Sequence, residues 1–302
     1  MRPASDDWGS SGFGLPPTAD LCGPFPERSF LEAWWRHRGE GEALIFESAT
    51  ALLPARRLPD GSVEFMGEAD LTDYHAPLGP GATGLVAQLV AGLEPGTPFR
   101  FDSMPEEAAA VVTAGAAAAG VPVRSEPHAA AVILDLPATR EEYLAVLDGK
   151  ERHEVRRKRR RFEASFGPGR LERAGDDGLP VFAAMHRAAP GAKGGFLTGE
   201  LEDFFGDLLE IEGARLDLLA GPGGTPVAAA FGFQDERAYY LYHSANDPAA
   251  AGASPGAVLV DLLVQQAIEA GLARFDFLKG DEAYKFRLGG RPRPLFVVEG
   301  VR

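Results

Sequence analysis

Residues 259–283 read LVDLLVQQAIEAGLARFDFLKGDEA, and residues 85–109 read LVAQLVAGLEPGTPFRFDSMPEEAA. A shift of 174 residues aligns the two without a gap and makes eight of 25 positions identical: Leu85/Leu259, Val86/Val260, Leu89/Leu263, Val90/Val264, Arg100/Arg274, Phe101/Phe275, Asp102/Asp276 and Ala109/Ala283. A composition this rich in Ala and Leu gives about two such matches by chance. Each copy reads as an amphipathic helix followed by a short strand. The chain is therefore expected to hold two related halves.

Outward from these copies the pattern alternates strands and helices. In the first half, 43–46, 51–55, 62–66, 99–102 and 130–136 read as strands, and a helix opening at Pro105 closes at Gly120. In the second half, the turns GPGG and QDER separate strands at 215–220, 226–234 and 238–243, which predicts an antiparallel meander. Helices are expected at 180–188 and 199–211. Thr139 with Glu142, and Asp148 with Glu151, have the spacing of helix caps. The second cap opens a helix at about 149–165. Its residues 150–161 carry eight bases and two acids, on a 302-residue chain of 44 acidic and 30 basic residues and net charge −14.

Composition excludes several classes. Hydrophobic residues make up 45% of the chain, enough for a sizeable core. The single Cys22 excludes a disulfide framework and a thiolate zinc site. His37, His128, His153 and His186 show no ligand spacing, so no metal is expected. No apolar run approaches a membrane span, and residues 1–20 lack a secretory h-region and read as a flexible leader. A cytoplasmic protein is expected.

The stretch 244–289, with its Asn-Asp turn, the Pro-Gly that opens a long helix, Phe-Asp-Phe, Gly280-Asp281-Glu282 and Tyr284-Lys285, resembles a signature of the FemAB-like and CelD-like branch of the GNAT superfamily. KERHEVRRKRRRFE is similar to that family's basic helix into its second domain, and GEADLTDYHAPL to a Gly…Asp-Tyr loop of its first. The resemblance implies an α/β protein of two tandem GNAT-like domains with mixed sheets, at 21–136 and 137–302. It also implies N-acyl transfer, with acyl-CoA as co-substrate or, alternatively, aminoacyl-tRNA, and no tightly bound cofactor. One departure stands out. The family's single-domain enzymes hold the CoA pyrophosphate on a glycine-rich loop, whereas here the helix opens with Ala253-Ser254-Pro255-Gly256-Ala257. A silent, ligand-binding GNAT-like protein is therefore a further reading.

No G-x-S-x-G nucleophile is present, which favours direct attack by an acceptor amine on a bound acyl donor. Such a reaction needs a base, donors toward the oxyanion and register between the reactants. The expected site is a cleft between domains. Its catalytic candidates are Asp276, buried in a strand, His243, at the end of YYLYH, and Tyr284. Alternation places His243 on the face of Tyr239 and Leu241. Asp73, Tyr74, His75, Asp281, Glu282, Lys285 and Arg287 are candidates for substrate binding, with Lys285 meeting a phosphate or carboxylate. Arg156, Arg157, Arg159 and Arg160 are candidates for a polyanion contact with CoA phosphates, an acyl carrier protein or tRNA. The acceptor is expected to be a small-molecule or peptide-like amine.

Overall fold

The computed structural model describes residues 12–221 and 223–302. Two compact units emerge, one of residues up to Ala131 together with Arg293–Arg302, the other of Val132–Pro292. The division falls five residues before the expected boundary at 136/137, and the last strand groups with the first unit rather than the second. Of the expected leader, residues 1–11 lie outside the described residues. Beyond them, Pro17 bridges to Leu78 and the Thr18 amide donates to the Pro77 carbonyl, so this part is bound into the unit.

The first unit contains α1 (Arg28–Arg38), β1 (Glu42–Ser48), β2 (Ala51–Arg57), β3 (Val63–Phe65), α2 (Ala82–Gly92), β4 (Pro98–Met104), α3 (Glu106–Ala118) and the start of β5 (Val123–Asp135). Strand order runs β1-β2-β3-β4, then the returning C-terminal strand, Arg291–Val301, then β5. Strands β3 and β4 pair in parallel, as a strand–helix–strand crossover dictates. Helix α1 was not foreseen: its Trp34 and Trp35 are buried, but no side chain caps its start.

In the second unit come α4 (Arg140–Val146), α5 (Gly149–Phe166), β6 (Arg170–Ala174), α6 (Leu179–Arg187), α7 (Ala192–Phe196), α8 (Gly199–Leu209), β7 (Ala214–Ala220), β8 (Pro226–Gln234), β9 (Ala238–Asn246), α9 (Pro255–Glu269), β10 (Arg274–Lys279) and α10 (Ala283–Arg287); β11 is the returning strand Arg291–Val301. Thr139 and Glu142 form the expected capping box, and Asp148 caps α5 by accepting from the Glu151 amide. The order is β10-β9-β8-β7-β6, with the meander β7–β9 antiparallel as expected and β9–β10 parallel. Helices α5 and α9 cover one sheet face, burying Val155, Phe162, Leu259 and Leu263 with Tyr239 and Phe275. On the other face α6 and α8 bury Phe182 and Phe205 against Phe231. Both units thus set a helix and strand, α2–β4 and α9–β10, at the repeated segments.

Candidate functional site

The parallel pair β9–β10 is hydrogen-bonded over three positions only: Arg274↔Ala238, Phe275↔Tyr239 and Asp276↔Tyr240. Both strands continue, β9 to Asn246 and β10 to Lys279, while β9 stays paired to β8 as far as Ala228↔Asn246. Tyr242 is the extra residue of a register shift between Phe231 and Gly232, a bulge that bends β9 where the ladder with β10 stops. The strands part there, at their carboxyl ends, which is where open parallel sheets take ligands. At the same end α9 begins with Pro255 at its first position and no side-chain cap, so its start suits an anion.

On the β10 side, Leu278 adopts a left-handed conformation (φ 59°), which costs on the order of 1–3 kcal/mol in a residue other than glycine. Two bonds hold it. Its amide donates to Asp276 Oδ1 at 2.8 Å, and its carbonyl accepts from Lys285 Nζ at 3.2 Å. Asp276 has no exposed surface and braces backbone, so in this conformation it does not meet a substrate amine directly. In the first unit its counterpart Asp102 accepts from Ser103 Oγ at 3.0 Å, beside another left-handed residue, Ser103 (φ 56°). Both aspartates thus lie beside a left-handed residue, Asp276 bracing its backbone and Asp102 its hydroxyl.

Lys285 corrects the sequence expectation. It is 2% exposed, and its ammonium donates to the carbonyls of Leu278, Lys279 and Gly280 at 3.2, 2.7 and 3.2 Å and lies 2.9 Å from Glu282 Oε2. An ammonium has three N–H groups, so none is left for a ligand. Asp281, Glu282 and Arg287 are exposed around it. Tyr284 is half-buried, edge-on to Phe277 at 6.3 Å, and burial, with a smaller contribution from Glu282, pushes its phenol up to about 12. Tyr284 stays an O–H donor across the physiological range.

His243 is not on the face of Tyr239 and Leu241. The bulge at Tyr242 breaks the alternation and turns His243 to the α6–α8 face, stacked on Phe196 (4.9 Å, 19°) and edge-on to Phe205. The ring of His186 lies 6.0 Å from it. Tyr284 packs on the opposite face of the sheet, beside Phe277 of the α5–α9 core. In the first unit Asp73 is part-exposed, but Tyr74 is fully buried, with Phe25 against its edge and the Arg293 guanidinium 4.9 Å over its ring. His75 is buried with Nδ1 3.0 Å from the Asp102 carbonyl. Tyr74 and His75 are core residues, which a solvated-loop reading of Asp-Tyr-His did not capture.

The basic helix divides its charge. Arg157 donates to both Glu154 oxygens and holds that carboxyl down to about 2; Arg159 lies 3.6 Å from Glu163 and 3.5 Å from Asp261. Arg156 and Arg160, one turn apart, are exposed and without an ion-pair partner among the described residues. The expected four-arginine contact therefore reduces to two outward cations. Among the described residues no three metal-ligating side chains come together, and no helix is long and apolar enough to cross a membrane.

Residues 149–286 match the family model of the GNAT acetyltransferase domain. No curated protein matches the chain. Among solved structures, FemX is similar with a TM-score of 0.64 at 12% identity, over 98% of this chain and 96% of that one. A conserved protein of unknown function from Bacteroides thetaiotaomicron gives 0.63 at 14%, over 96% and 95%, and L-PGS from Bacillus licheniformis 0.61 at 14%, over 92% and 93%. At these identities the likeness is one of fold. The mixed α/β class is as expected, with the match to the GNAT acetyltransferase domain falling in the second unit.

Proposed function

We propose that the second unit transfers an acyl group from a CoA thioester to an acceptor amine where β9 and β10 part. The observation that carries this reading is the ladder's end at Tyr240/Asp276, where two parallel strands part at their carboxyl ends and open a place for an extended ligand between them. The phosphates lie at the uncapped start of α9. The acceptor arrives as an ammonium held by the exposed carboxylates of Asp281 and Glu282 and loses its proton to solvent through Asp281. Its nitrogen then attacks the carbonyl carbon, the C–N bond forms, the C–S bond breaks, and the proton that the nitrogen sheds as the amide forms ends on the departing sulfur as the free thiol. The Tyr284 hydroxyl donates to the departing sulfur, stabilising its charge where it develops. Asp276 and His243 support this site from within the sheet.

A second reading, an aminoacyl-tRNA donor with a C–O bond breaking instead, draws support from the outward pair Arg156 and Arg160. The test incubates the purified chain with acetyl-CoA and a panel of amines and follows thiol release and acylated product. Amine-dependent thiol release supports the proposal. Transfer only from aminoacylated tRNA moves the conclusion to the second reading, and transfer from neither leaves a ligand-binding protein.

A further inference from the structure

The ammonium of Lys285 lies at the centre of the turn that joins β10 to α10. Three successive carbonyls, from Leu278, Lys279 and Gly280, point at it, and the carboxylate of Glu282, the residue preceding α10, supplies the fourth contact. A buried cation with this many acceptors costs desolvation unless all of them are kept, so it fixes their geometry. The backbone it fixes is conformationally demanding, with Leu278 at φ 59° and Gly280 at φ 111°. A methyl group on Gly280 would fall 2.5 Å from Glu282 Oε2 and 3.1 Å from Lys285 Nζ, so a side chain there would push the Glu282 carboxylate off the ammonium and strain a backbone at φ 111°. Tyr284 is the adjacent residue on α10, a helix of one turn that has no side-chain cap of its own.

We infer that Lys285 is a positioning residue: it holds the 278–282 turn so that the Tyr284 hydroxyl meets the leaving group, without itself touching either substrate. This rests on the acyl-transfer reading above. A short helix without a cap has little stability of its own, and Tyr284 is aimed by what anchors both its ends. At the far end, the Tyr143 hydroxyl donates to the Leu288 carbonyl and the Gly290 amide to the Lys285 carbonyl. At the near end the anchor is the Lys285 ammonium.

The experiment compares Lys285→Met, Gly280→Ala, Tyr284→Phe and the double variant Lys285→Met/Tyr284→Phe in the full chain. Gly280→Ala disturbs the turn while every charge is kept, and carries the test if Lys285→Met does not fold. Two readouts are used: kcat and KM for both substrates, and the 13Cζ resonance of Tyr284, one of six tyrosines, assigned by its loss in Tyr284→Phe. Lys285→Met and Gly280→Ala are expected to lower kcat by about tenfold to a hundredfold, with each KM within about threefold, and to shift the Tyr284 resonance. The double variant is expected to lose no more than Tyr284→Phe alone. A rise in KM at unchanged kcat, additive losses in the double variant, or an unmoved Tyr284 resonance would overturn the inference. The resonance needs no turnover: if it shifts while wild-type protein transfers nothing, the positioning geometry stands and the acyl-transfer reading fails.

Discussion

Asp261, on α9, lies beneath the basic helix with its side chain 4% exposed. Arg140 Nη2 donates to its two oxygens at 2.8 and 2.9 Å, and Arg159 Nη1 lies 3.5 Å away. Burial raises the Asp261 carboxyl despite both arginines. The sign follows. A carboxyl raised in the folded state contributes most below its unfolded value near 3.8, and that contribution is lost as pH climbs through the folded value. At neutral pH the ionised group is thus held against its desolvation. Asp261→Ala would leave Arg140 and Arg159 without their shared carboxylate. Breaking a buried pair from one side costs about 3–5 kcal/mol. With the two guanidinium side chains 19% and 31% exposed and able to rehydrate in part, the low end applies, about 3 kcal/mol. For a urea slope of about 2 kcal/mol per molar, the midpoint falls by about 1.5 M. The joint change Asp261→Leu with Arg140→Met removes the bidentate pair together, leaves Arg159 to Glu163 at 3.6 Å, and is expected to stay within about 1 kcal/mol of wild type. Urea unfolding followed by circular dichroism reads both. A loss under about 1 kcal/mol in Asp261→Ala, or an equal loss in the joint variant, would refute the reasoning.

Three further outcomes are expected. Tyr284→Phe lowers kcat by at least about a hundredfold, and wild-type activity shows no falling limb near pH 10, since the phenol is pushed up to about 12; a limb at 10 in a pH–rate profile counts against its environment. Raising salt from about 50 to 200 mM lowers kcat/KM less than twofold with acetyl-CoA, whereas two phosphate contacts by Arg156 and Arg160 to a tRNA donor would give about sevenfold, lost on Arg156→Gln with Arg160→Gln. Thermal stability holds up to about pH 10 and then falls, because burial raises Tyr284, Tyr143 and Tyr239 above their unfolded values and the associated stabilisation is lost as pH rises through the folded ones; melts at pH 9, 10 and 11 measure it.

Much of the fold could be read directly, because local rules govern it. The caps at Thr139 and Asp148, the meander turns and the repeated helix–strand segment all depend on residues close in sequence. What escaped depends on distant partners. Alternation along YYLYH held up to Tyr242 and failed at His243, because a bulge is set by the register with Phe231 and Gly232 on the neighbouring strand. Lys285 read as a free cation because nothing in Tyr-Lys-Phe-Arg reveals three carbonyls converging on it from five to seven residues earlier. In the basic helix, the pairing of Glu154 with Arg157 is local, whereas the contact of Arg159 with Asp261 spans 102 residues and has no local signature. The return of 293–302 to the first unit is a matter of topology, which composition and periodicity do not encode.

That return has a consequence for synthesis. Strand β4 finds its antiparallel neighbour only in β11, through Phe296↔Met104, Val298↔Phe101 and Val301↔Pro98. Ribosomes add about 5–20 residues per second, and close to 190 residues separate the two strands, so β4 waits roughly 10–40 s for its partner. During that interval Val132–Pro292 is being translated, while the earlier half keeps an unpaired strand edge. Shortening the chain by its last ten residues therefore wounds the half made first and spares the half made last.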